Sequence, residues 1–393
     1  MKTQLIGIIL TLIPLTVSLA QHPYDRVLES VESNNNTLKA LREQAATEKI
    51  TNRTGIYLPD PEVEFHHLWG SPQAIGNRTD FSVTQSFDFP TAYGHRREIA
   101  DLQDRNAALT YQSERIGILL EANQMTIGMI YLNARKSELR LRLANAERIS
   151  ATTRKKLDNG EANILEYNKA QLNLTAIEAE MSLLQAEQAA LESELRRLNG
   201  GKEIKITDDH YPPSVLPANF ASWVAEMEQI NPLLQYVKGE IAIGRQQVKL
   251  SRALTLPRFK AGYMSEKVVG EQFQGIAVGI SLPLWENKNR IQEARARVKT
   301  TEAILEDQKR QLYNHLEGAY LKASVLQKNA TRLRQSLTIY RSETLLKKAL
   351  DAGEISLLDY LTEVGYYYDA LDKVLETERD YELAVAELNA MGL

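Results

Sequence analysis

The sequence predicts a mainly α fold with a small β part, built as a duplicated helix–strand–strand–helix unit. Three observations carry that expectation. First, LDNGEANILEY at 157–167 returns as LDAGEISLLDY at 350–360, keeping Leu157/Leu350, Asp158/Asp351, Gly160/Gly353, Glu161/Glu354, Leu165/Leu358 and Tyr167/Tyr360. Self-similarity at a fixed offset decides architecture before any local reading. Second, two stretches hold an apolar seven-residue step far beyond the length of a globular helix. Third, four short segments alternate apolar and polar residues, the period of a half-buried strand.

Taken in chain order, Met1-Lys2, the apolar run from Leu5 to Leu19 and the small-x-small Ser18-Leu19-Ala20 predict a secretory signal peptide over 1–20. The run is too short and wrongly flanked for a spanning helix. A first structural repeat is expected over 21–199, with helices at 25–54, 95–157 and 161–198 and strands at 61–69 and 80–89. Residues 200–221, opening GGKEIKITDDHYPPSVLP, form a Gly- and Pro-marked connector. The second repeat, 222–393, is expected to carry helices at 222–253, 288–350 and 354–390 and strands at 257–267 and 273–284. Val83, Phe87, Phe89, Pro90 and Arg97 match Ile276, Ile280, Leu282, Pro283 and Arg290 without a gap. Upstream the offset drifts, and Asn36-Thr37-Leu38 aligns with Asn231-Pro232-Leu233.

The long helices carry a coiled-coil period. Ile291, Val298, Leu305, Leu312, Ala319, Leu326, Leu333 and Tyr340 stand seven apart; Ile99, Leu120, Ile127, Ala134 and Leu141 fit the same step, interrupted by Asn106 and Ser113. Such a repeat keeps one seam on a neighbouring helix and imposes supercoiling. At about 1.5 Å per residue each helix would reach roughly 95 Å, too long for an ordinary core helix. In each half the short and medium helices together nearly match the long one, so they would stack antiparallel beside it. Strands would lie at one end and the LDNGEA and LDAGEI turns, 157–162 and 350–355, at the other. Gly160 and Gly353 suit those turns because reversal needs a backbone only glycine adopts cheaply.

In the strands Phe81, Val83, Phe87 and Phe89 alternate with polar residues, as do Ile276, Val278, Ile280 and Leu282. These eight are the expected membrane-facing positions. Segments of about ten residues can cross a bilayer as tilted strands, but only in a closed barrel. Four strands cannot close one, so other copies of the chain must complete it. The same alternation also suits a small soluble hairpin pair packed against the helices.

Other chemistry is sparse. The chain has no cysteine and a net charge of −4, which gives neither a disulfide framework nor a nucleic-acid footprint. His66 and His67 adjoin on a strand and so point to opposite faces, a poor chelate; no metal site and no cofactor are expected. No H-E-x-x-H, phosphate-binding glycine loop or Gly-x-Ser-x-Gly elbow occurs, so no catalytic residue is assigned. Trp69, Tyr93 and Trp285 near the strand ends fit an interfacial aromatic girdle and equally a packed core.

The LPDP of 58–61, the SLPLWENKNR of 281–290, the paired G-E-x-x-(I/L)-L-(E/D)-Y turns and the duplicated unit behind a signal peptide resemble the TolC-type outer-membrane efflux family. The likeness covers essentially the whole mature chain, and is nearest to the outer-membrane subunits of cobalt–zinc–cadmium or copper efflux systems. It implies a homotrimer whose strands form a twelve-stranded transmembrane β-barrel and whose helices form a long periplasmic coiled-coil α-barrel. It implies outer-membrane lipid around the barrel, a periplasmic adaptor, and an inner-membrane pump of the resistance–nodulation–division or ABC type, with heavy-metal cations as one cargo and no catalysis in this chain. Many relatives are lipid-anchored; this chain has no cysteine for that. Carried over by motif, Asp158, Gly160, Glu161, Asp351, Gly353 and Glu354 would narrow the periplasmic entrance and contact the adaptor. Rings of carboxylates at a constriction favour cations. A soluble periplasmic coiled-coil adaptor or scaffold is the alternative, although adaptors usually carry one hairpin where this chain has two.

Overall fold

The computed structural model describes residues 23–393; the signal peptide expected over 1–20 lies outside the described residues. The first repeat runs α1 (Pro23–Asn34), α2 (Asn36–Asn52), β1 (Glu62–Leu68), β2 (Arg78–Phe87), α3 (Pro90–Asp158) and α4 (Ile164–Leu198). The second runs α5 (Phe220–Ile230), α6 (Pro232–Ala253), β3 (Arg258–Val268), β4 (Glu271–Ser281), α7 (Arg290–Ile339), α8 (Glu343–Ala352) and α9 (Leu357–Leu388). Residues 199–219, without helix or strand, join them.

The helices lie side by side in a layer whose membership changes halfway. Toward the sheet α3 packs on α2 and α6, and α6 packs on α7; away from it α3 packs on α4 and α9, and α9 on α7. Thus α3, and α7 continued by α8, run the length of the layer, while α2, α6, α4 and α9 each fill half of it. The change-over is where the core concentrates. Val27 and Val31 of α1 pack against Leu119, Ala122, Ile130, Leu195 and Leu198. In the second repeat Val224 of α5 packs in the same way against Leu316, Ala323, Val385 and Leu388. Each of these buried valine, leucine and isoleucine side chains contributes roughly 1.5–3 kcal/mol.

Capping explains the breaks in the short helices. Asn35 stops α1 and caps α2, its Oδ1 accepting from Leu38 N at 2.8 Å; Asn231 does the same for α6 through Leu234 N at 2.9 Å. A side-chain oxygen there satisfies one of the orphan donors of a helix start. The equivalent of Asn231 is therefore Asn35 and not Asn36, a one-residue correction to the alignment. Both amides also reach across the molecule, Asn35 to Leu198 O at 2.7 Å and Asn231 to Met391 Sδ at 3.6 Å.

The long helices differ from expectation in three ways. α3 starts at Pro90, earlier than residue 95, because proline at the first helical position is already set for helix. The second long helix breaks: α7 ends at Ile339 and α8 begins at Glu343. Tyr340, the last residue of the seven-residue row, is 75% exposed, so the burial that keeps the row helical lapses there. The seam of α3 also drifts. Leu141 is exposed, while Leu139, Arg142, Ala146 and Ile149 are buried. A straight helix at 3.6 residues per turn walks away from a strict seven-residue step.

Asn106, one of the polar interruptions, is buried where α3 crosses α6 and donates to Glu240 Oε1 at 2.6 Å. Gly239 makes room for it, since a Cβ there would lie 1.9 Å from Asn106 Oδ1. Gly239→Ala is expected to destabilise the chain by about 1–3 kcal/mol through overpacking. Thermal unfolding should show a lowered Tm that Asn106→Ala partly restores.

Candidate functional site

The four strands form one antiparallel sheet in the order β1-β2-β3-β4, so the central β2–β3 pair joins the repeats. Directly paired residues share a face, and the register sorts the side chains. On one face lie Val63, Phe65, Phe81, Val83, Phe87, Phe259, Ala261, Tyr263, Ile276, Val278 and Ile280, with Gln85 among them and His67, Thr79, Ser265, Lys267, Gln272 and Gln274 toward the hairpin ends. The other carries Glu62, Glu64, Asp80, Ser82, Thr84, Arg78, Arg258, Lys260, Glu266, Glu271 and the small Gly262, Ala277 and Gly279, with Leu68, Met264 and Phe273 toward the hairpin ends. Ion pairs cross this polar face, from Lys260 to Glu62 at 3.2 Å and from Arg78 to Glu266 at 3.2 Å.

Within the subunit the apolar face is bare: Ile276, Val278 and Ile280 are 84%, 77% and 63% exposed. Among the described residues only β3 packs substantially on β4, and β1 and β4 each have one edge without a strand. Bare edges and a bare apolar face are liabilities that proteins remove by closure or cover. Of the eight expected membrane-facing residues, Phe81, Val83, Phe87, Ile276, Val278 and Ile280 lie in strands. Phe89 and Leu282 lie beyond the strand ends, Phe89 as the residue preceding α3. At this junction Asp88 receives Arg96 at 2.5 Å and Arg258 at 3.2 Å, which ties strand ends from both repeats to the start of α3.

At the opposite end the two duplicated turns fold alike. Gly160 and Gly353 take φ of +77° and +76°. The following amide bonds back across six residues, Glu161 N to Lys156 O at 2.8 Å and Glu354 N to Ala349 O at 2.9 Å, the pattern that closes a helix on a left-handed glycine. Asn163 then caps α4, and Ser356 with Asp359 forms a capping box for α9. All six expected entrance residues are exposed, but their carboxylates differ. Asp158 pairs with Arg154 at 3.2 Å, and Asp351 pairs across the two hairpins with Arg148 at 3.0 Å. Glu161 and Glu354 carry no ion pair among the described residues. Tyr360, from the duplicated motif, is buried with Ile149, Ala170 and Val364 and accepts from Asn145 Nδ2 at 2.9 Å.

Between the tips and the change-over, α3 is clasped to α9. Arg142 is buried, grips both oxygens of Asp372 at 2.9 and 2.5 Å, and lies 4.4 Å above the Tyr368 ring. Sequence reading missed this clasp; its only signal was an arginine beside an apolar seam that was about to rotate.

Residues 206–217 cross the helix layer as a strap. Asn133 holds Ile206 O and Asp208 O at 2.9 and 3.0 Å, Tyr211 reaches Ile127 O at 3.1 Å, and Tyr320 reaches Pro217 O at 3.2 Å. Ser214 donates to the buried Glu382 of α9 at 2.7 Å. Burial pushes the Glu382 carboxyl up to about 7, against the lowering effect of the Ser214 bond and with help from Glu378. A raised folded value means that the unfolded chain loses its proton first, so stability falls as pH climbs from about 4.5 to about 7 and then levels off. Roughly 2–3 kcal/mol should be lost over that window. Glu382→Gln should remove this part of the pH dependence when urea unfolding of the helices is followed from pH 5 to 8.

No group of three or more His, Asp or Glu among the described residues is arranged to hold a metal. No helix among them is long and apolar enough to cross a membrane.

Comparison with known proteins places this geometry. The profile of a family described as "Outer membrane efflux protein" matches residues 223–392. The alkaline protease secretion protein AprF of Pseudomonas aeruginosa is 23% identical over 333 residues, an alignment covering 77% of this chain and 66% of that protein. The crystal structure of CusC superposes with a TM-score of 0.78 at 13% identity, covering 94% of this chain and 92% of that one. The CmeC outer membrane channel of Campylobacter jejuni superposes with a TM-score of 0.74 at 15% identity, covering 94% and 85%. At such identities the likeness to the solved structures is one of fold.

Proposed function

The chain belongs to the TolC-type outer-membrane efflux proteins, and from that premise we propose that it is the passive outer-membrane duct of a tripartite exporter. Three copies pool their sheets into one transmembrane barrel and their helix layers into a periplasmic tube. A periplasmic adaptor and an inner-membrane pump complete the path, and this chain carries out no reaction of its own. The observation that carries the reading is the sheet: one face apolar and bare, the other charged, both edges open. Copies joined β4 to β1 would continue the antiparallel alternation, turn the apolar face to lipid and the charged face to the lumen, and leave no edge. Phe81, Val83, Phe87, Ile276, Val278 and Ile280 would then meet hydrocarbon, with Phe89 and Leu282 at its lower border.

At the entrance, Gly160 and Gly353 shape the turns, and Glu161 and Glu354 supply carboxylates that make no ion pair among the described residues. Asp158 and Asp351 are half-neutralised by their arginines, and Asp351 instead ties the second tip to α3. Heavy-metal cations are the cargo favoured here, because acids outnumber bases on the polar face of the sheet and the tip glutamates stand unpaired. A polypeptide cargo is the second reading, suggested by the secretion role printed for AprF. A deletion strain challenged with zinc, cobalt and copper, and profiled for secreted protein, separates the two.

The entrance is tested in planar bilayers. Glu161→Gln with Glu354→Gln should move the reversal potential in a salt gradient toward zero, a loss of cation preference that Asp158→Asn alone does not match. An unchanged reversal potential in the double variant removes these residues from the entrance.

A further inference from the structure

Glu382 is 7% exposed, and the bond from Ser214 to its Oε1 is its only hydrogen bond among the described residues. No base comes to it. Arg379, three residues earlier on α9, turns instead to Asp380 at 2.8 Å and to the Tyr131 ring at 4.6 Å. Its titratable neighbours Glu378 and Tyr24 can add only negative charge. Burial that no cation offsets is what holds this carboxyl at about 7.

The carboxyl opens on a cavity of about 270 Å³ bounded by α1, α3, the strap and the end of α9. Ile127, Val385, Ala386 and the strap's Pro212 and Pro213 give it apolar walls, and no Lys, Arg or His lines it. A second acceptor stands in the wall. Asn123 Oδ1 is shut off from solvent and has no hydrogen-bond partner among the described residues. A buried acceptor left unmet is costly, and here two of them, on different helices, converge on one space. Apolar walls with a few convergent polar groups are the make-up of a small-molecule site. Water satisfies a neutral acceptor but does not balance a carboxylate. A hard metal ion needs about six oxygen ligands or more, which these walls do not offer. A cation that carries its own N–H donors and a short apolar body answers every group present.

We propose that this cavity binds a small primary ammonium compound, its NH3+ group donating to Glu382 and Asn123 and its apolar body lying against Ile127, Val385 and the prolines. The occupant joins α3 and the strap to α9, and so the two repeats, at the change-over. The site stands whether or not the chain is a duct.

The probe is n-butylammonium: radiolabelled n-butylamine is dialysed to equilibrium against the protein extracted in a neutral detergent at pH 8. The Glu382 carboxyl is ionised there, and an alkylamine, titrating near the lysine value of about 10.4, keeps its proton. Saturable uptake of one butylammonium per chain is expected, with a raised Tm because the ligand favours the folded state. Glu382→Gln should weaken uptake by at least about tenfold, since the bound charge loses its counter-charge. Asn123→Leu, which leaves the strap's bond to Glu382 in place, should weaken it severalfold through one lost hydrogen bond. Neutral n-butanol, and tetramethylammonium with no N–H to donate, should compete poorly. Absence of saturable uptake overturns the proposal, as does uptake that both variants leave unchanged, or equal competition by either comparison compound.

Discussion

Val278→Arg keeps the protein out of the membrane. Val278 stands in the middle of the apolar face, level with Ala261 and Gln85 on the neighbouring strands, and is 77% exposed in the subunit. A soluble hairpin pair would accept arginine at so exposed a position with little effect. In a lipid-facing barrel an arginine near the bilayer midplane costs about 2–4 kcal/mol, and every copy in the ring carries it. The expected result is a protein that is exported but is lost from the outer-membrane fraction or recovered there in traces. Ala277→Arg, one residue away on the polar face and paired with Gly262, should assemble far better. Equal tolerance of the two substitutions contradicts the assignment of faces.

Arg142→Ala should be the most damaging single truncation in the helix layer. Its guanidinium is 5% exposed and Asp372 is 25% exposed, so the pair is mostly out of water. Removing one member leaves the other charge partly buried without its partner, typically 3–5 kcal/mol for a fully buried pair. The residual exposure of Asp372 sets the expectation near about 3 kcal/mol, at the low end. The lost stacking on Tyr368 adds to it. Urea unfolding of the helices measures the loss. A double-mutant cycle with Asp372→Ala should return a coupling of at least about 1 kcal/mol. Additive effects would mean that the clasp does not hold α3 to α9.

These two sites also mark what the sequence disclosed and what it concealed. The alternation from Phe81 to Phe87 and from Ile276 to Ile280 fixed both strands and faces, because a period of two has no other common cause. The glycines of the duplicated turns were equally plain, since a left-handed residue closing a helix selects glycine. Contacts between distant segments were hidden. Arg142 and Asp372 belong to different repeats, and neither stands in a motif. The seven-residue count put Leu141 inward, but the mismatch between that step and about 3.6 residues per turn leaves Leu139 and Arg142 inward instead. The end of α7 at Ile339 was masked by an apolar row that continues to Tyr340, where the subunit offers that row nothing to bury against. The loop after β4, residues 282–289, was masked for the opposite reason. Its proline matched Pro90, and only Asn287, which donates to Leu254 O, and Asn289, at a left-handed φ of +68°, distinguish a pinned loop from a helix start.

The tip shows the same division. The duplicated motif placed the six residues in the two turns but could not rank them, because rank depends on Arg148 and Arg154, which reach Asp351 and Asp158 only in the folded hairpins. The unpaired Glu161 and Glu354 therefore become the residues to vary first.

The claim beneath all of this is that no single copy can satisfy its own sheet. Light scattering on the particle extracted from outer membranes, corrected for bound detergent, tests that most directly. The account predicts three chains per particle and no folded monomer in detergent-free buffer. A monodisperse, folded single chain in plain buffer, absent from membrane fractions, would contradict it.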